Sequence, residues 1–303
     1  MMKNAVVFLL LISLPFLSYA QKPDSLAIKV ADTTWQVGGD INVNFSQVSL
    51  SNWAGGGQSS ISLGNILNLY ANYNNGKSIW NNKFQAAYGL IRQGSDQDQP
   101  VRKSDDLLYL ETQYGRRFSS KLFMSVLVNF RTQFYKGEEL QEQPDGTKTP
   151  KLVSEFMAPA YLQAALGVTY KEKNILNLTL SPFTSKNTIS LNERLAPMFG
   201  IPEGESIKSE VGASFNGNFK KEIFKNVRVE TNLNLFSNYE RFKNVDVNWT
   251  NNIVLKVNKY ITSSIMTQLI YDDDIDVPRD NKPTPGPATQ FKSSINVGFA
   301  YSF

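Results

Sequence analysis

The 303-residue chain has no cysteine and no histidine. Without thiols it can form no disulfide framework, no cysteine nucleophile and no thiolate metal site. Without imidazole it has neither a Ser-His-Asp triad nor a histidine metal ligand. A charge excess of one sign is also missing: Lys plus Arg number 31 against 27 Asp plus Glu, a net of +4. That balance, with no basic run, excludes nucleic acid as a partner on electrostatic grounds. Long apolar runs are the third absence. Ala5 to Leu17 spans thirteen residues and is broken by Ser13 and Pro15, too short to cross about 30 Å of hydrocarbon as a helix. If this chain spans a membrane, it must do so with strands.

The same run has another reading. Met1-Met2-Lys3-Asn4 is a short basic start, Ala5 to Leu17 an apolar middle, and Ser18-Tyr19-Ala20 places small residues at the −3 and −1 positions before Gln21. This predicts a secretory signal peptide over residues 1–20, cut after Ala20. No cysteine follows the cut, so no lipid anchor is expected there. Residues 21–33 are then a short periplasmic segment, and the remaining residues, 34–303, are the folded part.

That part repeats one pattern. From Trp35, the odd positions Trp35, Val37, Ile41, Val43 and Phe45 are apolar, while Gln36, Asp40, Asn42, Asn44 and Ser46 lie between them. Period two is the mark of a strand with two different faces. The clearest case is Leu122, Met124, Val126, Val128 and Phe130 against Ser125, Asn129 and Arg131. Trp80 to Leu90, Leu108 to Tyr114, Leu162 to Tyr170, Val227 to Leu235, Val245 to Val257 and Phe291 to Phe303 behave alike, and weaker members bring the expected number to about twelve.

Connection lengths alternate. Asn74 to Lys77, Phe118 to Ser120, Lys171 to Asn174 and Asn258-Lys259 are short, and Lys220 to Asn226 is only somewhat longer. Ser49 to Gln58, Gln93 to Ser104, Tyr135 to Pro159, Thr184 to Glu205, Ser237 to Lys243 and Asp272 to Ala288 are mostly long. Alternating strands of about ten residues, with short turns at one end and long loops at the other, predict a transmembrane antiparallel up-and-down β-barrel. An even strand number puts both termini on the periplasmic side. A soluble sandwich would have shorter strands. It would also not carry so many of the chain's 29 asparagines inside strands, where Asn is normally depleted.

The final strand ends on Phe299, Tyr301 and Phe303, all on one face. This resembles the terminal aromatic signal read by the barrel-insertion machinery of outer membranes. Trp35, Tyr73, Trp80, Tyr114 and Tyr170 fit an aromatic belt at the short-turn end, and Phe134, Tyr271 and Phe291 one at the loop end. The stretch Asn44-Phe45-Ser46-Gln47, followed by Asn52-Trp53-Ala54-Gly55-Gly56-Gly57, resembles the opening signature of a family of unknown function among Bacteroidota outer-membrane proteins. Trp35-Gln36-Val37-Gly38-Gly39 upstream fits it too. The resemblance is taken to cover the whole mature chain. It implies a Gram-negative outer membrane, with lipid and lipopolysaccharide as surroundings, and it supplies no activity and no catalytic residue.

Candidate functional residues follow from the faces. Lys83, Glu111, Arg131, Arg228, Glu230, Asp246 and Lys256 are expected to line the lumen. With Lys292, Asp40 and Glu210 they make five cations against five anions, so no single-sign selectivity is written into the wall. Hairpin register is expected to place Glu111 opposite Leu127 and opposite Gln85 or Ala87, between Lys83 and Arg131. Gly55 to Gly57 lack the Gly-Lys-Ser/Thr ending of a phosphate loop and suit a tight turn. Trp53 is read as a loop anchor or a partner contact. Asp272, Asp273 and Asp274, with Asp276 and Asp280, could hold a divalent cation through oxygen. They lack the EF-hand glycine and distal glutamate, and a solvated acidic loop is the expectation. No catalysis and no cofactor are expected, although Ser–Lys or carboxylate pairs remain possible by residue type. The function expected is a narrow passive channel for small hydrophilic solutes. The alternative is a non-conducting accessory barrel that docks a partner in an outer-membrane assembly, secretion or uptake complex.

Overall fold

Period-two alternation leaves every strand with one apolar and one polar face, and closing the sheet on itself removes its edges. The computed structural model describes residues 34–48, 60–93, 101–143, 148–258, 260–277, 284 and 286–303. The segments 1–20 and 21–33, together with Trp53 and Asp280, lie outside the described residues. The strands are β1 (Trp35–Val48), β2 (Ser60–Asn74), β3 (Ser78–Gln93), β4 (Arg102–Arg117) and β5 (Leu122–Thr132). A hairpin of β6 (Gly137–Glu142) and β7 (Lys148–Ser154) follows, then β8 (Ala160–Glu172), β9 (Leu176–Ile189) and β10 (Ile207–Phe224). The series ends with β11 (Val227–Asn238), β12 (Asp246–Lys256), β13 (Ile261–Tyr271) and β14 (Gln290–Ser302).

Twelve of these strands form a closed antiparallel barrel in the order β1-β14-β13-β12-β11-β10-β9-β8-β5-β4-β3-β2. The barrel is the fold class expected from the alternation. β6 and β7 stand apart as a two-stranded sheet, where a plain loop was expected from Tyr135 to Pro159. Side chains tie this hairpin down at its base. Lys103 Nζ donates to Asp106 at 2.9 Å, to Gln133 at 2.9 Å and to the Tyr135 carbonyl at 2.8 Å. Asp106 accepts from the amides of Phe134 and Tyr135, and Ser154 donates to Gln133 at 3.0 Å.

The short turns are built by asparagine. Asn75 Oδ1 accepts from Ser78 N at 2.7 Å between β2 and β3, with Gly76 at φ 80°. Asn258 Oδ1 accepts from the amides of Tyr260 and Ile261, both at 2.8 Å, between β12 and β13. These Asx contacts reinforce the backbone bonds from Asn75 N to Ser78 O and from Asn258 N to Ile261 O, both 3.2 Å.

A second departure concerns β9, which runs through Ile189 where a loop was expected from Thr184. Thr184, Lys186 and Thr188 alternate with Ser185 and Asn187, polar against polar, so hydropathy carries no strand signal there. A register shift between Leu166 and Val168, repeated on the β10 side, places an extra residue in β9 beside Pro182. Proline has no amide hydrogen to give, and a bulge is where a strand tolerates it. The bulge crowds Gly167: a Cβ there would lie 2.1 Å from the Leu180 carbonyl oxygen and 2.5 Å from Ser181 Cα. Both are backbone atoms and cannot give way. Gly167→Ala should therefore cost about 1–3 kcal/mol, measured as the shift in a urea unfolding midpoint. Gly64→Ala, where a Cβ would meet nothing within 4 Å, should change little.

The outer face is apolar along most of its height. One row runs across six strand pairs from Trp35 through Tyr73, Trp80, Tyr114, Val126 and Leu166 to Phe183. Trp35 packs on Tyr73 and Trp80, with ring centroids 5.3 and 5.6 Å apart. Polar groups on this face satisfy one another. Trp80 Nε1 donates to Thr112 at 2.8 Å, Trp249 Nε1 to Thr231 at 2.9 Å, and Thr231 to Asn251 at 2.7 Å.

Candidate functional site

The opposite parity builds the inner wall, and its two halves differ. From β3 to β10 most inward side chains are packed, although Lys83 stays exposed and Glu111 and Arg131 stay half-buried. Ile79, Ala87, Phe123, Leu127 and Ala165 are buried there. Gln113 donates to Thr169 and Thr179, both at 3.0 Å, and accepts from Asn177. Phe123 is capped by the Arg117 guanidinium 5.0 Å from its ring centre. From β11 round to β2 the inward residues, apart from the buried Phe236 and Gly38, stay half-buried or exposed. They include Asn232, Asn234, Asn248, Asn252, Ser294, Asn296, Asn42 and Asn68. Water can follow this amide-rich side, while the other side is filled.

Charges gather at the two ends. Near the short turns, Glu230 meets Arg228 at 2.8 Å and Lys220 at 2.9 Å. Lys83 sits directly opposite Glu111 on β4 and 5.6 Å from the Tyr109 ring centre. Glu111 accepts from the Tyr109 hydroxyl and faces Asn129 on β5. Arg131 lies one pair further along, between Tyr109 and Tyr161. Lys256 shares the inward parity, faces Thr262 and is exposed at the short-turn rim.

The register of Glu111 therefore corrects the expected one. Its neighbours are Asn129 and Lys83, not Leu127 and Gln85 or Ala87. The β4–β5 turn closes through Phe118 N to Leu122 O at 3.1 Å, so the hairpin pivots on Ser120, one residue later than expected. On the β3 side, an irregularity at Gly89/Leu90 shifts the ladder.

The loop end carries the denser cluster. Lys186 on β9 reaches Asp246 at 2.6 Å, Asp272 at 3.2 Å and Glu210 at 3.8 Å. Lys208 on β10 reaches Glu210 at 3.5 Å and Asp274 at 2.5 Å. Arg241 meets Asp274 at 2.8 Å. Asp246 opens β12 and Asp272 follows β13, three and four strands round from β9. The chain after β13 is thus strapped to the β9–β10 side of the loop-end mouth. Burial pushes the Asp274 carboxyl up, but the Lys208 ammonium and the Arg241 guanidinium outweigh it and hold it below the ordinary carboxylate range.

The acidic stretch is therefore not a solvated loop. Asp272 and Asp274 are ion-paired, and Asp273 accepts from Asn244 and from Tyr271. Four of the cations in the two clusters, Lys186, Lys208, Lys220 and Arg241, are absent from the expected set. The first lay in a stretch with no apolar alternation. The others flank strand ends, where a boundary error of a few residues changes the reading.

Phe299, Tyr301 and Phe303 all point outward and are exposed. Phe303 exchanges both backbone hydrogen bonds with Gly39 at 3.0 Å, and its ring stacks on Tyr301 with centroids 6.2 Å apart.

A family described as a protein of unknown function (DUF3078) matches residues 45–137, a shorter span than the whole mature chain. No curated protein matches. Among solved structures, an outer-membrane channel from Pseudomonas putida F1 is 10% identical, with a TM-score of 0.39 over 93% of this chain and 100% of that one. The translocator domain of the autotransporter NalP from Neisseria meningitidis is 8% identical, with a TM-score of 0.39 over 91% of this chain and 90% of that one. The NanC porin is 8% identical, with a TM-score of 0.37 over 86% and 98%. Likenesses this distant say nothing of what the chain carries.

Proposed function

We propose that the chain is an outer-membrane barrel of a Gram-negative bacterium, and that the amide-lined half of its lumen is a narrow passive channel for small hydrophilic solutes. In this reading residues 1–20 are removed as a signal peptide, 21–33 and the short turns lie in the periplasm, and Phe303 is read by the insertion machinery. The observation that carries it is the split inner wall, mostly packed from β3 to β10 and more open and amide-lined from β11 to β2, inside an apolar outer face. Strands of 11 to 18 residues in the barrel are long enough to cross hydrocarbon when tilted. The strap across the loop-end mouth favours a second reading, a closed accessory barrel that docks a partner.

Planar-bilayer recording of the purified protein separates the two. The channel reading expects small, steady conductance steps. Silence, together with a stoichiometric co-purifying protein, would favour the accessory reading. In a conducting barrel, Glu111→Gln should shift ion preference toward anions, because it leaves Lys83 and Arg131 with less compensation. The reversal potential across a salt gradient measures this. An unchanged value in a conducting variant would place Glu111 off the ion path.

A further inference from the structure

β1 and β14 close the barrel with the shortest ladder in its wall. Five ladder pairs join them, from Asp40↔Ser302 to Asn44↔Gly298, and Phe303 just past β14 adds a sixth with Gly39. The other barrel contacts of these strands run much further: Val48 still pairs with Ser60 on β2, and Gln290 with Ile270 on β13. Continued in the same register, Phe45 would face Val297 and Gln47 would face Ile295, yet among the described residues these pairs do not form. The ladder ends at Gly298, short of the loop end. Gly298 is the last paired residue: a Cβ there would lie 2.2 Å from Asn44 Oδ1 and 2.4 Å from the Val43 carbonyl oxygen.

The lips of the split are amphipathic. Gly39 and Phe303 exchange both backbone bonds, and antiparallel pairs alternate, so Phe45, Gln47, Ile295 and Val297 direct their N–H and C=O groups into the gap. Bare backbone groups are costly in hydrocarbon and are tolerated where lumen water reaches them. Outside, Phe45, Ile295 and Val297 are 57, 77 and 59% exposed. Inside, Asn44, Ser294 and Asn296 present polar side chains. The wet half of the lumen adjoins this seam, while the axial mouth above it is strapped by the Lys186 and Lys208 ion pairs.

We propose that the loop-end half of the β1–β14 seam is a lateral portal, through which an amphiphile with a polar head and an apolar tail passes between the lumen and the outer leaflet. The head follows the amide-lined wall and the tail stays between Phe45 and Ile295. The proposal rests on the membrane-spanning reading above.

The chain has no cysteine, so single cysteines report cleanly. Full-length protein carrying Ile295→Cys (outward lip), Asn296→Cys (inward lip) or Asn252→Cys (inward, on β12) is reconstituted in phospholipid vesicles. Each is exposed to a phospholipid bearing a maleimide headgroup and, separately, to a water-soluble maleimide. The portal predicts that the lipid probe labels Asn296→Cys at least an order of magnitude faster than Asn252→Cys, while the soluble probe labels both. Labelling of Asn296→Cys by the soluble probe alone, or by neither, overturns the portal. Failure of the lipid probe to label Ile295→Cys overturns the membrane reading instead. Ser294→Cys repeats the inward-lip test if Asn296→Cys does not fold.

Discussion

Arginine at position 126 should lower the stability of the barrel in lipid by about 2–4 kcal/mol. Val126 lies near the middle of β5, points outward and is flanked on its neighbours by Tyr114 and Leu166. In the bilayer it would hold a guanidinium among hydrocarbon with no partner in reach. Five residues further along the same strand, Arg131 faces inward between two tyrosines. Arg131→Gln keeps a polar donor on the half-buried inner wall and should cost about 1 kcal/mol or less. Urea unfolding of the two variants in lipid vesicles, followed by tryptophan fluorescence and heat-modifiable gel migration, gives the comparison. Equal losses, or a larger loss from Arg131→Gln, would mean that the outer face does not meet lipid.

The second large effect is expected at Lys186. Its ammonium stands among Asp246, Asp272 and Glu210, and its side chain is 15% exposed. It also lies 5.3 Å from the Phe236 ring centre. Lys186→Met keeps most of the volume and removes the charge, which leaves three carboxylates facing one another with Lys208 alone to offset them. Breaking a buried pair from one side typically costs about 3–5 kcal/mol, and a loss of that size at neutral pH is expected here. A double variant, Lys186→Met with Asp246→Asn, should recover part of it, because one of the stranded charges goes too. If Lys186→Met unfolds at the same denaturant concentration as the parent, the strap across the mouth is not held by this residue.

Particular residues show where sequence reading succeeded and where it stopped. The β5 alternation from Leu122 to Phe130 needed no partner to be understood, since a strand's two faces are set by backbone geometry. The turns at Asn75-Gly76 and Asn258 were equally local. Thr184 to Ile189 failed for the converse reason: both of its faces are polar, so its strand state depends on β8 and β10 supplying the ladder. The Asp272 to Asp274 stretch looked solvated because its cations come from β9, β10 and the β11–β12 connection, between 33 and 86 positions away in the chain.

The strand periodicity, the number of barrel strands and the parity that sends Val126 one way and Arg131 the other were therefore determined by the sequence alone, because each depends on neighbours within a few residues. Tertiary structure decided the rest. The pairing of Glu111 with Lys83 and Asn129, the packed and wet halves of the lumen, the strap at the mouth and the short β1–β14 ladder all depend on register and ring closure. A one-residue change of turn pivot moves every cross-strand neighbour by two, and no local pattern records which pivot the closed barrel selects.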